Sequence, residues 1–220
     1  MSGKKFAERK KRISALNRAL TRIFPEGGTA LVYGNAWELL VSVILSAQCT
    51  DKMVNNITEK LFRKYQTLED YVHADPREFE RDIHSAGYYR AKTKNILAAA
   101  RMVRDRFGGK IPATMQEILT IPGVARKTAN VVLGNAHNVV EGIAVDTHVR
   151  RFAIRFDLSD HKDPVRIERD LMELLPRKEW FQFTYRVIEY GRQIAPARPY
   201  DISKDPLIKI YPNAGKVFRV

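Results

Sequence analysis

The sequence contains a single cysteine, Cys49, among its 220 residues. An intramolecular disulfide is therefore excluded, which is typical of proteins from a reducing compartment. An iron–sulfur cluster held by four cysteines of one chain is excluded as well. The five histidines show no ligand spacing such as His-x-x-x-His, so no transition-metal site is predicted.

Long hydrophobic runs are also missing. No stretch approaches 18 apolar residues, so the sequence predicts no membrane span and no membrane partner. The N-terminus is basic but is not followed by an apolar segment, so no secretory signal is expected. No convincing pair of strands is evident, and apolar residues recur instead at helical spacing. The sequence therefore predicts an all-α protein.

Positive charge, in contrast, is abundant. The 38 lysines and arginines against 25 aspartates and glutamates give a formal net charge of +13, with a pI of about 9.9. This balance favours a polyanionic partner, with nucleic acid ahead of an anionic membrane surface. A surplus of basic residues that only promotes solubility is the alternative. The chain is long enough for one domain, or two small ones, with a buried core.

Apolar periodicity and turn signals divide the chain into helices. Residues 2–24 are predicted as a basic arm that passes into an amphipathic helix, with residues 1–8 expected as a solvated, frayed tail. Pro25-Glu26-Gly27-Gly28 should end this element at a domain boundary. Further helices are predicted over residues 36–47, 51–64, 67–73, 76–84, 90–107, 126–136, 147–156, from 164 onward, and 179–194. The predicted caps are Thr67 with Asp70, Asp75 before Pro76, and Asp163 before Pro164.

The stretch from Ile121 to Leu133 is the most informative part of the sequence. Pro122-Gly123 indicates a turn, and an unbroken helical run follows it. Upstream, Thr114 and Glu117 have the spacing of a capping box, so a short helix should begin near Thr114. The pattern predicts helix, tight turn, helix, with Lys127 in the first turn of the second helix. Since a helix N-terminus suits an anionic phosphate, a lysine there suggests function rather than stability.

This stretch closely resembles the helix-hairpin-helix of the endonuclease III family of DNA base-excision glycosylases. Three other segments are similar to landmarks of that family, and they occur in the family's order. Leu45–Asp51 resembles its early helix and wedge loop, and Ser85–Lys92 resembles its second loop into DNA. Ala144–Arg151 resembles the segment that carries its catalytic aspartate. The resemblance implies, as partner, double-stranded DNA that contains damaged bases or abasic sites.

The resemblance also implies two helical domains with a DNA-binding cleft between them. A six-helix domain with the hairpin would span residues 29–139, and a second helical domain would combine residues 1–28 and 140–220. The active site would lie in the cleft, with Lys127 on one wall and Asp146 on the other. We expect a monomer that works in the cytoplasm at the nucleoid, or in the nucleus of a eukaryote.

By the same resemblance, two residues enter the duplex when a nucleotide is rotated out of the stack. Gln48 would fill the gap and pair with the orphaned base, while Tyr88 would wedge into the opposite strand. Without the resemblance, Gln48 is an ordinary polar helix end and Tyr88 a surface aromatic. The family has glycine where this chain has Ala125, and a methyl group is tolerated there only if φ need not be positive. The other implied DNA contacts are Gly123, Val124, Arg126, Thr128 and His148, together with Ala125.

Lys127 and Asp146 are the residues to which the resemblance assigns the chemistry. The amine of Lys127 would attack the sugar C1′ as the base leaves, giving a Schiff base that permits β-elimination. The amine must be neutral to attack, and a helix N-terminus disfavours the ammonium. Asp146 would stabilise the positively charged sugar or transfer protons. An aspartate before Thr-His is, however, usually a helix N-cap. The resemblance thus implies a bifunctional glycosylase and abasic-site lyase for oxidised pyrimidines.

The chain departs from the family at its C-terminus. The family usually has four cysteines that hold a [4Fe–4S] cluster, and the first would fall near Ala195. We therefore predict no cluster, and expect proline-rich packing of residues 195–218 in its place. Arg192, Arg198 and Lys204 are candidates for substitute phosphate contacts. The hairpin carbonyls are candidates for binding a monovalent cation.

Two other functions compete with this prediction. A related enzyme could act on another lesion, such as a mismatched thymine or uracil, or only on abasic sites. A non-catalytic DNA-binding protein is the third hypothesis, because helix-hairpin-helix motifs also serve as plain phosphate grips. Such a protein would need neither Lys127 nor Asp146.

Overall fold

The computed structural model describes residues 3–217, and throughout that range the chain is built from helices and loops. No strand occurs between these residues, which confirms the predicted all-α class. The predicted N-terminal arm and C-terminal segment also include residues 1–2 and 218–220, which lie outside the described residues.

The predicted helices are present with small differences at their ends. The predicted helix over 36–47 is too long, because the chain leaves the helical conformation after Leu45. Similarly, the predicted helix over 76–84 ends at Asp82, and a 3₁₀ turn follows at His84–Ala86. The α-helices are α1 (Gly3–Ile23), α2 (Ala36–Leu45), α3 (Asp51–Lys64), α4 (Leu68–His73), α5 (Pro76–Asp82), α6 (Tyr89–Phe107), α7 (Met115–Ile118), α8 (Arg126–His137), α9 (Thr147–Arg155), α10 (Pro164–Leu174) and α11 (Trp180–Gln193). Between residues 3 and 217, no helix is long and apolar enough to cross a bilayer.

Helices α2 to α8 form one compact unit, residues 30–141. Helix α2 is apolar on nearly every side and packs against α3, α6 and α8. Leu39, Leu40 and Val41 of α2 are fully buried. Helix α8 packs directly on α2, and its residues Val132 and Leu133 are buried in the same core. The hairpin that precedes α8 is therefore fixed to the core of the unit.

The described residues up to Thr29 and from Gly142 onward form a second unit. Helix α1 packs against α10 and α11, and α9 packs against α10 and α11. Aromatic rings fill this core: the Phe152 and Phe156 rings are 4.5 Å apart, and Tyr190 meets Phe152 edge-on at 5.6 Å. The N-terminal helix is therefore part of the core and not an appendage.

The frayed N-terminal tail expected from the sequence is wrong for residues 3–8, which are helical. The reason is a set of ion pairs that sequence spacing does not reveal. Arg9 is fully buried, and its Nη2 lies 2.6 Å from Asp157 Oδ1 and 2.8 Å from Asp160 Oδ1. Lys5 also pairs with Asp160. Hydrogen bonds from Arg9 and Lys5 lower the pKa of Asp160 to about 2, so its carboxylate stays charged.

Side-chain caps fix where several helices begin, as the sequence predicts. Thr67 and Asp70 form a complete capping box at α4, in which Asp70 Oδ2 accepts from Thr67 N at 2.8 Å. Thr114 caps α7, accepting from the Glu117 backbone N–H at 3.3 Å. The remaining predicted caps are Asp75 on α5 and Asp163 on α10, each followed by proline at the first helical position.

Candidate active site

The predicted hairpin is present as α7, a tight turn and α8. Gly123 in the turn has φ +81°, in the left-handed region that glycine tolerates best. A Cβ added to Gly123 would lie 2.9 Å from Cβ of Asn95 on α6. Both the backbone conformation and the limited space therefore require glycine at this position. Asn95, which the sequence analysis did not single out, is thus the surface against which the turn is packed.

The backbone N–H groups of the hairpin differ in whether they already donate a hydrogen bond within the protein. Ala125 has φ −94°, so its methyl group brings no strain where the family has glycine. Ala125 is also the N-cap of α8 and provides no side-chain hydrogen bond to the first turn. Val124 differs, because its N–H donates to Ile121 O at 3.1 Å and its side chain is buried. Of the hairpin residues predicted to bind DNA, Val124 therefore has no spare donor.

Lys127 is exposed in the first turn of α8. It makes no ion pair with any of residues 3–217, whereas Ala129 and Val132 behind it are fully buried. Arg126 and Thr128 beside it are half-buried. A flexible amine is thus held on a rigid base, at the end of a helix whose dipole and N–H groups favour an anion.

Gln48 and Tyr88 share an unusual backbone conformation. Gln48 has φ +54° and Tyr88 has φ +48°, both in the left-handed region, and both side chains are exposed. Such a conformation costs a non-glycine residue on the order of 1–3 kcal/mol and persists only where the surroundings enforce it. Strain of this kind clusters at functional sites. The two residues predicted to enter DNA therefore lie on two strained loops of the same unit, one around Gln48 and one around Tyr88.

Asp146 is the N-cap of α9. Its Oδ1 accepts a hydrogen bond from Val149 N at 2.8 Å, and Ile143, Ala144 and Val145 just before it are buried. Among residues 3–217, none donates a hydrogen bond to its other oxygen, Oδ2. The structural role expected of an aspartate before Thr-His is thus present, and one carboxylate oxygen remains open for chemistry.

His148, on the first turn of α9, lies against α11. Its Nδ1 is 3.4 Å from Nη2 of Arg151, and a Cβ added to Gly191 would clash with the imidazole at 2.2 Å. Burial, and then the neighbouring Arg155, lowers the pKa of Arg151. The His148 side chain is therefore half-buried against the neighbouring helix α11. Its contact with DNA stays a prediction.

The C-terminal segment is attached by a buried carboxylate, Asp205, that no pattern in the sequence indicates. Asp205 Oδ2 accepts from the Tyr190 hydroxyl at 2.6 Å and the Tyr200 hydroxyl at 2.5 Å, while Leu207 N donates to Oδ1 at 3.0 Å. Arg155, also buried, donates to Tyr200 and to Ala214 O. Burial and the bond to Asp205 raise the pKa of both tyrosines, so both hydroxyls remain donors.

The residues of the C-terminal segment do not match the cysteine ligands of an iron–sulfur centre. Ala195, where the family's first cluster cysteine would fall, is a buried alanine, and the one thiol of the sequence belongs to Cys49 in the other unit. Residues 3–217 also hold no group of three or more histidine, cysteine, aspartate or glutamate side chains suited to a metal ion. Tyrosine, arginine and carboxylate hydrogen bonds hold this segment together.

Asp205→Ala is expected to lower the free energy of unfolding by about 3–5 kcal/mol. The change removes the acceptor of the Tyr190 and Tyr200 hydroxyls, and it removes the carboxylate that lies 4.0 Å from the buried Arg155 guanidinium. Equilibrium urea unfolding measures the loss. Asp201→Ala, at an exposed carboxylate of the same segment, is the control and should cost far less. A loss below about 1 kcal/mol for Asp205→Ala would contradict a stabilising role for the cluster.

Comparison with known proteins places the chain among base excision DNA repair proteins. A family model described as HhH-GPD superfamily base excision DNA repair protein matches residues 41–177. Endonuclease III of Synechocystis sp. is 42% identical over 211 residues, covering 96% of each chain. Endonuclease III of Bacillus subtilis is 41% identical over 189 residues, covering 86% of each.

Solved structures are similar over almost the whole chain. A non-covalent endonuclease III–DNA complex has a TM-score of 0.89 at 38% identity, covering 94% of this chain and 97% of that one. A trapped endonuclease III–DNA covalent intermediate has the same values. A thermostable thymine-DNA glycosylase, at 21% identity and a TM-score of 0.78, shares the fold.

Proposed function

Because the chain belongs to the endonuclease III family of HhH-GPD base excision DNA repair proteins, we propose that Lys127 and Asp146 carry its chemistry. The protein is a DNA glycosylase that removes oxidised pyrimidines and cleaves the strand at the resulting abasic site. One observation supports the residue assignment: the amine of Lys127 is exposed and forms no ion pair on the first turn of α8. The N-cap of this helix, Ala125, makes no side-chain hydrogen bond to that turn.

The Lys127 amine attacks C1′ of the flipped nucleotide. The nitrogen–carbon bond forms as the glycosidic bond breaks, and the base leaves with the bonding electron pair and takes up a proton. Opening of the sugar ring then gives an imine between Lys127 and C1′. Loss of a C2′ proton expels the 3′ phosphate by β-elimination, which cleaves the strand. A neutral amine is needed for the first step, because only its free electron pair can form the bond to C1′.

Asp146 acts on the sugar rather than on the base. Its Oδ1 is fixed by the Val149 N–H, which orients the carboxylate and leaves Oδ2 as a lone acceptor. A carboxylate held in this way stabilises the positive charge that develops on the sugar as the base departs. It also accepts or returns the protons that the ring opening requires.

DNA is gripped at the hairpin and held open by the two strained loops. The N–H groups of Gly123 and Ala125 and the first turn of α8, with Arg126 and Thr128, contact phosphate at a helix N-terminus. Gln48 fills the space of the extruded nucleotide and Tyr88 stacks in the opposite strand, where aromatic stacking supplies about 1–3 kcal/mol per base. The net charge of +13 supplies the attraction to the backbone that is independent of sequence.

The enzyme works without an iron–sulfur cluster, which one cysteine in the sequence supports. Arg192 is paired with Glu189, and Lys204 is paired with Asp201. Of the three proposed substitute phosphate contacts, Arg198 is therefore the one that forms no ion pair within residues 3–217. The carbonyl oxygens of the hairpin would be the ligands of a monovalent cation at this position. The protein acts as a monomer where the genome lies, at the nucleoid or in the nucleus.

A panel of single-lesion duplexes tests this function. The purified protein should release an oxidised pyrimidine, cleave the strand, and form a covalent complex when borohydride reduces the imine. Matched duplexes should contain a G·T mismatch, a uracil, or a preformed abasic site. Cleavage of the abasic duplex alone would indicate an abasic-site lyase, and activity on thymine or uracil alone another glycosylase. Tight binding of every lesion without base release or cleavage would contradict the enzyme assignment.

A further inference from the structure

Lys92 on α6 is a buried cation whose three donors are all used. Its side chain lies inside the unit formed by residues 30–141, and the residue is only 4% exposed. Nζ donates to Leu45 O at 2.8 Å, to Ala47 O at 2.8 Å and to Ala86 O at 2.7 Å. An ammonium group has three N–H donors, so these carbonyls satisfy it completely.

The placement of this cation has a physical reason. Leu45 is the last residue of α2 and Ala86 is the last residue of the 3₁₀ turn His84–Ala86. The last carbonyls of a helix have no partner within it and carry partial negative charge. Burial of the ammonium is unfavourable and lowers the pKa of Lys92, and the three carbonyls offset that cost. One lysine therefore caps the C-terminal ends of two separate elements.

The two elements that share this cap lead directly into the two strained loops. Ala47 is followed by Gln48, and Ala86 is followed by Gly87 and then Tyr88. The carbonyl oxygens of Ala47 and Ala86 are each within 2.8 Å of one nitrogen, although the residues are far apart in sequence. A left-handed conformation at Gln48 and at Tyr88 requires that the backbone before each be held firmly. Lys92 holds both.

We propose that Lys92 is a positioning residue that sets the two loops against each other, so that Gln48 and Tyr88 enter the duplex as one unit. This inference rests on the proposed function, because it assumes that both side chains enter DNA. It adds that insertion on the two strands is coupled inside the protein, through three backbone carbonyls and one ammonium. Lys92 itself need not touch DNA.

Lys92→Met tests the coupling, because methionine has a similar length and no donor. Single-turnover release of an oxidised pyrimidine should fall on the order of 10–100-fold, as expected when inserting groups are misplaced. Affinity for an undamaged duplex should stay near that of the wild type. Hydrogen exchange should become faster at the Cys49 and Ala86 amides, whose bonds to Ser46 O and Ile83 O lie in the two loops.

A comparison of backgrounds separates positioning from general destabilisation. In the double variant Gln48→Ala, Tyr88→Ala, adding Lys92→Met should reduce the rate less than about twofold, because no inserting side chains remain to be positioned. Alanine keeps a Cβ at both left-handed positions, so the backbone strain is retained. Leu97→Ala on the same helix, also buried, is the control and should lower stability without changing the preference for damaged DNA.

Each outcome decides the question. An equal loss from Lys92→Met in both backgrounds, or an unchanged rate in the wild-type background, would overturn the inference. If Lys92→Met does not fold, Lys92→Gln supplies two donors on a shorter chain, with the same expected pattern and a smaller effect. If the wild type releases no base from any lesion, the proposed function fails. The exchange rates at Cys49 and Ala86 then still test whether Lys92 fixes the loops.

Discussion

Lys127→Ala is expected to abolish the borohydride-trapped complex and strand cleavage by β-elimination. The imine needs a primary amine, and alanine supplies none, so the loss should be complete within the sensitivity of a gel. Affinity for an abasic duplex should change little, because the hairpin N–H groups and the other basic residues remain. The measurement is a covalent band on denaturing gels, with binding measured in parallel under identical salt conditions.

Two further variants make this result specific. Lys60→Ala removes an exposed lysine of α3 in the same unit and should leave trapping unchanged, which controls for the loss of one positive charge. Lys127→Gln keeps a long polar side chain at the start of α8 without a nucleophile, and should also fail to trap. A trapped band of normal intensity from Lys127→Ala would show that another amine forms the imine.

Asp146→Asn is expected to slow base release on the order of 10²–10⁴-fold, the range for loss of a positioned charged or proton-transferring group. Asparagine has the same shape and caps helices as well as aspartate does, so α9 should keep its N-terminus. The free energy of unfolding should therefore stay within about 0.5 kcal/mol of the wild type. Single-turnover excision and urea unfolding together separate the two roles of this residue.

Asp163→Asn provides the matched control. Asp163 caps α10 through Oδ1 and Arg166 N at 3.0 Å, the same contact that Asp146 makes at α9. It has no proposed chemical role, so its replacement should leave excision unchanged. Asp146→Ala should lose the cap too, at about 1 kcal/mol. If Asp146→Asn excised bases at nearly the wild-type rate, Asp146 would be a helix cap and nothing more.

Much of the fold was accessible from the sequence because its signals are local. A capping pair such as Thr67 with Asp70 joins residues only three positions apart. The apolar periodicity of α2 is likewise visible within neighbouring turns of one helix. The hairpin was predicted for the same reason, since proline and glycine restrict their own backbone and that of their neighbours. Asp146 could be predicted as a helix cap by this route, whereas its chemical role followed only from resemblance.

The errors and omissions concern contacts between distant parts of the chain. The sequence places the end of α2 two residues late. Nothing local signals that Lys92, 47 residues beyond Leu45, donates a hydrogen bond to the Leu45 carbonyl at the end of this helix. Residues 3–8 are helical where the sequence predicts a frayed tail, because Arg9 pairs with Asp157, 148 residues away. Neither partner can be identified from spacing alone.

The sequence by itself determined the helical class, the hairpin, most helix starts, the absence of cluster cysteines, and the identity of the residues that resemble a DNA-repair site. Tertiary structure alone decided that Gln48 and Tyr88 are strained and share one anchor, that Val124 has no spare donor, and that Asp205 closes the C-terminal segment. The physical reason is the range of the interactions. Helix formation and capping are settled within a few residues, whereas a buried charge finds its partners only after the chain has folded around it.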